Sequence, residues 1–203
     1  MRWLAVLAAL VVGFSVAHVA PARAQTDAEL AVQWRAAWQV YDVTNGRVPG
    51  VVAAAREVSV EVGAPPARTF AAYSNLGNVV GKHSFATRFV THADRQEGST
   101  RRVDFTAIEV IPVANVPVQS AVFGKQAIRA DAGYYDVTTW SLPYVITRQH
   151  VTFTDLGGGR TRVVEHLVFE APGPLLDFTV TQGVSAHVAS INAMKRAVEA
   201  GEI

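Results

Sequence analysis

The sequence predicts an α+β domain, with an antiparallel sheet of about seven strands, a short helix pair after the first strand and one long C-terminal helix. Three observations carry this. Apolar and polar residues alternate, the period of a half-buried strand, in successive segments between residues 56 and 169. These segments are separated by short polar or glycine-containing turns, as in antiparallel hairpins. From Pro174 to about Ala200 the period changes, and Leu176, Val180, Val184, Val188, Ile191, Met194 and Val198 recur every three or four residues as one apolar stripe.

The chain has 203 residues, half of them hydrophobic and 17% charged, so it can bury one sizeable core. Its start is set apart. Arg2 precedes an apolar run over residues 3–14, and Ala22 and Ala24 fit an A-x-A cleavage pattern. Residues 1–24 therefore read as a secretory signal peptide cut after Ala24, with export to the periplasm or the outside. The competing reading is an uncleaved anchor, because residues 3–20 carry no formal charge; the cleavage pattern and the short apolar run favour removal. Losing Arg2 and Arg23 turns the formal charge from +1 to −1. That balance advertises no nucleic-acid partner, and no stable membrane span is expected after cleavage. With no cysteine, thiol catalysis, disulfides, thiolate metal sites and a lipid-modified Cys are excluded.

Thr26-Asp27-Ala28-Glu29 has the form of a capping box and opens a helix whose Leu30, Trp34, Ala37, Trp38 and Tyr41 share one face, ending at Asn45-Gly46. Residues 25–55 form this helix and a linker, and the main domain spans 56–200. Val58, Val60 and Val62 alternate with Ser59 and Glu61 in a first strand. Ala64-Pro65-Pro66-Ala67 stops it and starts the short helix pair that carries Phe70, Tyr73 and Leu76. Strands follow near 84–92 and 101–110, joined by a polar hairpin loop over 93–99. Pro112 and Pro117 bracket a less regular stretch. Further strands lie near 118–128, 134–140, 145–154 and 160–169. Asp155-Leu156-Gly157-Gly158-Gly159 joins the last two; it lacks a following GKS or GKT and reads as a hairpin turn, not a phosphate loop. Gly183, inside the last helix, is expected to allow close packing.

Val58–Phe70, the Gly157–Val163 hairpin and Ser190–Glu199, in this order and spacing, resemble the START-like superfamily, also called SRPBCC, which includes pollen allergens, lipid-transfer domains and polyketide cyclase/dehydrase-like proteins. The resemblance covers nearly all of residues 56–199 but not the first helix. It implies a helix-grip fold, in which a curved sheet wraps the long helix around an apolar cavity used for lipids, sterols or polyketides. Asn75 stands where many relatives have Asp followed by Pro, and no Trp follows the helix pair before Ser84; both bear on the subfamily. A lipocalin-type barrel, the other fold for an exported β-rich chain of this size, would not have the proline-started helix pair.

Strand parity selects the cavity lining. After the glycine turn, Thr161, Val163, Glu165, Leu167 and Phe169 form the more apolar set and are placed inward, with Val145, Thr147, Gln149, Val151 and Phe153 matching them. Glu165 then lies among apolar groups. Desolvation there raises an unpaired carboxyl's pKa and suits a general base or a hook for a ligand hydroxyl; the structural alternative is a carboxylate satisfied by Gln149 or an Arg. His187 falls inside the apolar arc of the last helix, as a second acid/base candidate or as a core histidine. His150 and His166 fall on the opposite face, as a possible cross-strand pair; inverted parity would bring them inward with Arg148. Two histidines without a third ligand are a weak metal signal, and neither a metal nor a cofactor is expected. Arg101-Arg102 reads as a solvated pair. Tyr135 and Trp140 lie on opposite faces of one strand.

The leading expectation is an exported protein that holds a hydrophobic small molecule, with Phe85, Phe89, Phe105, Gln149, Glu165 and His187 as the lining. The alternative is a cyclase- or dehydratase-like enzyme using Glu165 or His187 as acid/base. A third is a ligand-free scaffold or interaction protein.

Overall fold

A computed structural model describes residues 25–44, 48–113 and 116–203. The signal peptide expected over residues 1–24 and the helix stop at Asn45-Gly46 lie outside the described residues.

The capping box forms. The Thr26 backbone N–H donates to Glu29 Oε2 at 2.7 Å and the Glu29 N–H donates to Thr26 Oγ1 at 3.3 Å, opening α1 (Asp27–Thr44). Strand β1 (Val51–Val62) begins before the alternation at Val58 becomes readable, because Val51-Val52-Ala53-Ala54-Ala55 carries no polar residue to mark a face. Its pairing with the last strand, from Val51 opposite Pro172 to Val62 opposite Thr161, makes those residues a strand. Pro65 is extended and Pro66 opens α2 (Pro66–Tyr73), where a missing N–H costs nothing; a 3-10 turn (Leu76–Asn78) completes the helix pair. Then come β2 (Ala86–Glu97), β3 (Thr100–Val113), β4 (Val116–Arg129), β5 (Tyr134–Ser141), β6 (Val145–Gly157), β7 (Arg160–Pro172) and α3 (Gly173–Ala200).

The seven strands form one antiparallel sheet in the order β1-β7-β6-β5-β4-β3-β2. Strands β2 to β7 are a meander of hairpins, and the chain enters at one edge, crosses through α2 to the other and returns strand by strand. The β6–β7 turn places Gly157, Gly158 and Gly159 at positive φ, a conformation that favours glycine at all three.

Two regions differ from the sequence expectation. Residues 93–99 are not a loop, since β2 runs to Glu97 and β3 restarts at Thr100. The charges that suggested a loop pair instead: Arg101 makes a two-pronged contact with Asp94 at 2.8 and 2.6 Å, and Arg102 meets Glu97, so neither is simply solvated. Likewise Pro112 and Pro117 face each other in register within the β3–β4 hairpin rather than bounding an irregular stretch.

Register organises the inner face into rows. One is Val58, Glu165, Val151, Tyr135 and Ile128; the next is Leu167, Gln149, Val137, Gln126 and Val103; a third is Ala54, Phe169, Thr147, Thr139, Gly124 and Phe105. Helix α3 packs chiefly on β1 and β7, and α2 rests on β6 and β7. The C-terminal end of α3 is tied. The Gly63 N–H donates to Glu199 Oε1 at 2.7 Å, Arg68 donates to the Val198 carbonyl at 2.8 Å, and Gly201 closes the helix in the left-handed conformation. Gly183 is required for the close approach the sequence suggested: a Cβ there would stand 2.4 Å from the Phe169 ring.

The apolar stripe of α3 departs from the expectation at one residue. Val188 is 42% exposed, while Val180, Ile191, Met194 and Val198 are buried. The 3.6-residue turn drifts against a strict four-residue step, and the inward position at that level is His187.

A second core lies on the other face of the sheet. Ala37 and Trp38 of α1 pack with Phe123, Trp140, Tyr144 and Ile146, and Leu30 packs with Val90 and Ile108. Trp140 therefore faces α1, and Tyr135 faces α3. The inner face is less completely sealed: Thr139, Thr147 and Gln149 point inward from central strands yet keep partial exposure, as do Phe89 and Val184. A groove thus runs between the sheet and α3.

Candidate functional site

The two residues singled out for chemistry meet. Glu165, held in β7 between Val58 and Val151, is 4% exposed, and its Oε2 lies 2.9 Å from Nδ1 of His187 on α3. With the carboxylate accepting, Nδ1 carries the proton and Nε2 is left for another partner. Among the described residues the carboxylate is satisfied neither by Gln149 nor by an arginine; its partner comes from the helix.

Two further titratable groups face this pair, and sequence reasoning missed both. His83, in the turn leading to β2, packs edge-on to His187 with ring centroids 5.9 Å apart. Its Nδ1 accepts from the Phe85 and Ala86 N–H groups at 3.3 Å, which places its proton on Nε2. Burial, reinforced by the nearby charge of His187, holds His83 down to about 4, so at neutral pH it is a neutral donor. Glu109 shares the inner face of β3 with Phe105 and Ala107. It keeps some exposed surface, yet its carboxyl is desolvated enough to be pushed up to about 7, against the pull of His187. On the other side of Glu165, burial and then the Glu165 charge raise the Tyr73 and Tyr135 phenols, and Tyr73 donates its hydroxyl to the Ile191 carbonyl at 2.8 Å.

The proposed lining divides. Phe85 stands edge-on to His83 at 5.9 Å, and Phe89 lies 5.6 Å from Phe105. Phe105 is 2% exposed and lies across Gly124, where a Cβ would be 2.1 Å from its ring, so it is packed wall. Gln149 faces the groove from β6. His150 and His166 point outward, opposite each other with rings 6.3 Å apart, and their Nδ1 atoms meet Asp136 and Glu57. Arg148, also outward, donates to Glu170 and the Tyr41 hydroxyl. Among the described residues no group of three or more His, Asp or Glu is arranged to hold a metal ion. A shallow recess of about 370 Å³ beside α1, lined by Ala36, Gln39, Val40, Val43 and Thr44, brings together no acid/base side chain.

A carboxylate-backed imidazole facing a neutral N–H donor, in a groove with aromatic walls, can bind a carbonyl or hydroxyl or move a proton to and from it. The cluster also has a stability signature. For His83 the folded value of about 4 lies below the ordinary 6.5, so its contribution is present above about pH 6.5 and is lost as pH falls through about 4. For Glu109 the folded value of about 7 lies above 4.5, so its contribution is present below about pH 4.5 and lost as pH rises through about 7. In denaturant titrations across this range, His83→Gln is expected to flatten the acid-side loss and Glu109→Gln the loss toward neutral pH.

No protein-family model matches the chain, and no curated protein sequence does. Solved structures match its fold. The Zhui aromatase/cyclase from Streptomyces aligns with a TM-score of 0.60 and 12% identity over 73% of this chain and 94% of that one. TTHA0849 from Thermus thermophilus gives 0.58 and 15%, over 74% of this chain and 100% of that one. Ara h 8.0201 gives 0.54 and 15%, over 72% and 98%. The chain thus has the helix-grip fold, with the seven-stranded sheet and long C-terminal helix that the sequence predicted.

Proposed function

We propose that the protein is exported and holds a hydrophobic small molecule, lipid-, sterol- or polyketide-like, between the inner face of the sheet and α3. The observation that carries this reading is the buried Glu165–His187 pair, one polar anchor joining sheet and helix beside aromatic walls. A site of this kind holds the apolar body of a ligand by area and orients it by one or two polar contacts.

The test is native mass spectrometry of the protein recovered from the exported fraction, with extraction of what co-purifies. An adduct is expected, bound to a chain that begins at Gln25, and Thr147→Trp, which fills the groove floor, is expected to remove it. A chain free of adduct that also binds no added hydrophobic probe supports the scaffold reading instead.

The free Nε2 of His187, close to the His83 donor, favours a second reading in which the same pair does acid/base work on a carbonyl compound. α-Deuterium exchange of 2-tetralone, followed by NMR, separates the two. Faster exchange with the wild type that is lost in His187→Asn supports an enzyme; unaccelerated exchange with retained tetralone binding leaves a carrier.

A further inference from the structure

Gln126 sits on the inner face of β4, three strands from Glu165 in the sheet order and on the order of 14 Å away along it. It is 3% exposed. Its amide N–H donates to the Ser74 carbonyl at 3.1 Å, which fixes the orientation of the amide, because flipping it would set two oxygens against each other. Its Oε1 is then left buried with no donor among the described residues. A buried acceptor without a donor is costly and rare in a folded domain. Beyond Val137, its neighbour on β5, the residues Thr139, Thr147 and Gln149 give central strands of the same face a polar surface that stays partly accessible, where a sealed core would carry aliphatic side chains.

We infer that Gln126 is a second polar anchor of the groove, a specificity-determining acceptor for a hydroxyl or N–H group on the ligand. This rests on the ligand-binding reading above and deepens it. The groove selects an elongated apolar molecule with a hydrogen-bond donor set apart from the group held by Glu165 and His187. A plain alkyl chain would leave the Gln126 oxygen unpaired, and discrimination against the analogue that lacks the donor follows from that loss.

The test uses a matched pair of probes, 2-naphthol and its methyl ether 2-methoxynaphthalene, titrated by fluorescence into the mature protein. The wild type is expected to prefer the naphthol by about tenfold, one hydrogen bond's worth. Gln126→Leu and Gln126→Met, the second kept in case the first fails to fold, are expected to bring the ratio close to one while the ether binds as before. A preference that survives in both variants and disappears in Glu165→Gln assigns the donor to the other anchor and overturns the inference. So does equal binding of the two probes by the wild type, which leaves the groove reading standing. Binding of neither probe to the wild type overturns the groove reading and this inference with it.

Discussion

Phe169→Ala is expected to cost roughly 3–5 kcal/mol, the range for a fully buried aromatic cut back to a methyl group. Phe169 is 1% exposed. Its ring occupies the space that Gly183 opens in α3 and stands 6.4 Å from the His187 ring, so it wedges β7 against the helix where the polar pair is held. For a domain of this size the loss lowers the melting temperature by on the order of 10 °C. Gly183→Ala reaches the same contact from the other side: its new methyl group would overlap the ring, an overpacking cost of roughly 1–3 kcal/mol. The two changes should not add. Thermal denaturation of the double variant is expected to show Gly183→Ala costing less once the ring is gone, and full additivity would refute the wedge.

The second large effect lies behind the sheet. Trp38→Ala is expected to cost roughly 3–5 kcal/mol, because the indole is 4% exposed, packs 4.7 Å from the Tyr41 ring and carries the Lys125 ammonium 3.9 Å above its face. Its Nε1–H has no acceptor among the described residues. Trp38→Phe therefore removes an unsatisfied donor together with some apolar area and is expected to recover most of the loss. Limited proteolysis separates undocking from global unfolding: the Ala variant should be cut within α1 under conditions that leave the sheet intact.

Much of this arrangement was legible in the residues, and the reasons differ by element. Alternation in Thr161–Phe169 identifies the inward face of β7, and helical phase turns His187 toward it, so each half of the pair is readable in the sequence by itself. That they bond to each other was not readable, because phase along a helix says nothing about its height over the sheet. Val188 was misplaced because a step of four residues overruns a 3.6-residue turn. The length of the β2–β3 hairpin was hidden because cross-strand ion pairs and a solvated loop share one composition. His83 sits where no period exists. Gln126 obeys the same parity as Val122 and Ile128, yet a polar residue inside an apolar strand becomes informative only when its unsatisfied oxygen is seen.

Gly124 gives the two faces of the sheet a common wall. In front, the Phe105 ring lies flat against its α-carbon; behind, Trp34 of α1 donates its indole N–H to the Gly124 carbonyl at 3.0 Å. At this point the partition between the groove and the outer helix is a single peptide unit with no side chain to cushion it. The outer helix is therefore a backing plate as well as a cover: the hydrogen bond that seats α1 is made to the same residue whose missing side chain gives the Phe105 wall its place.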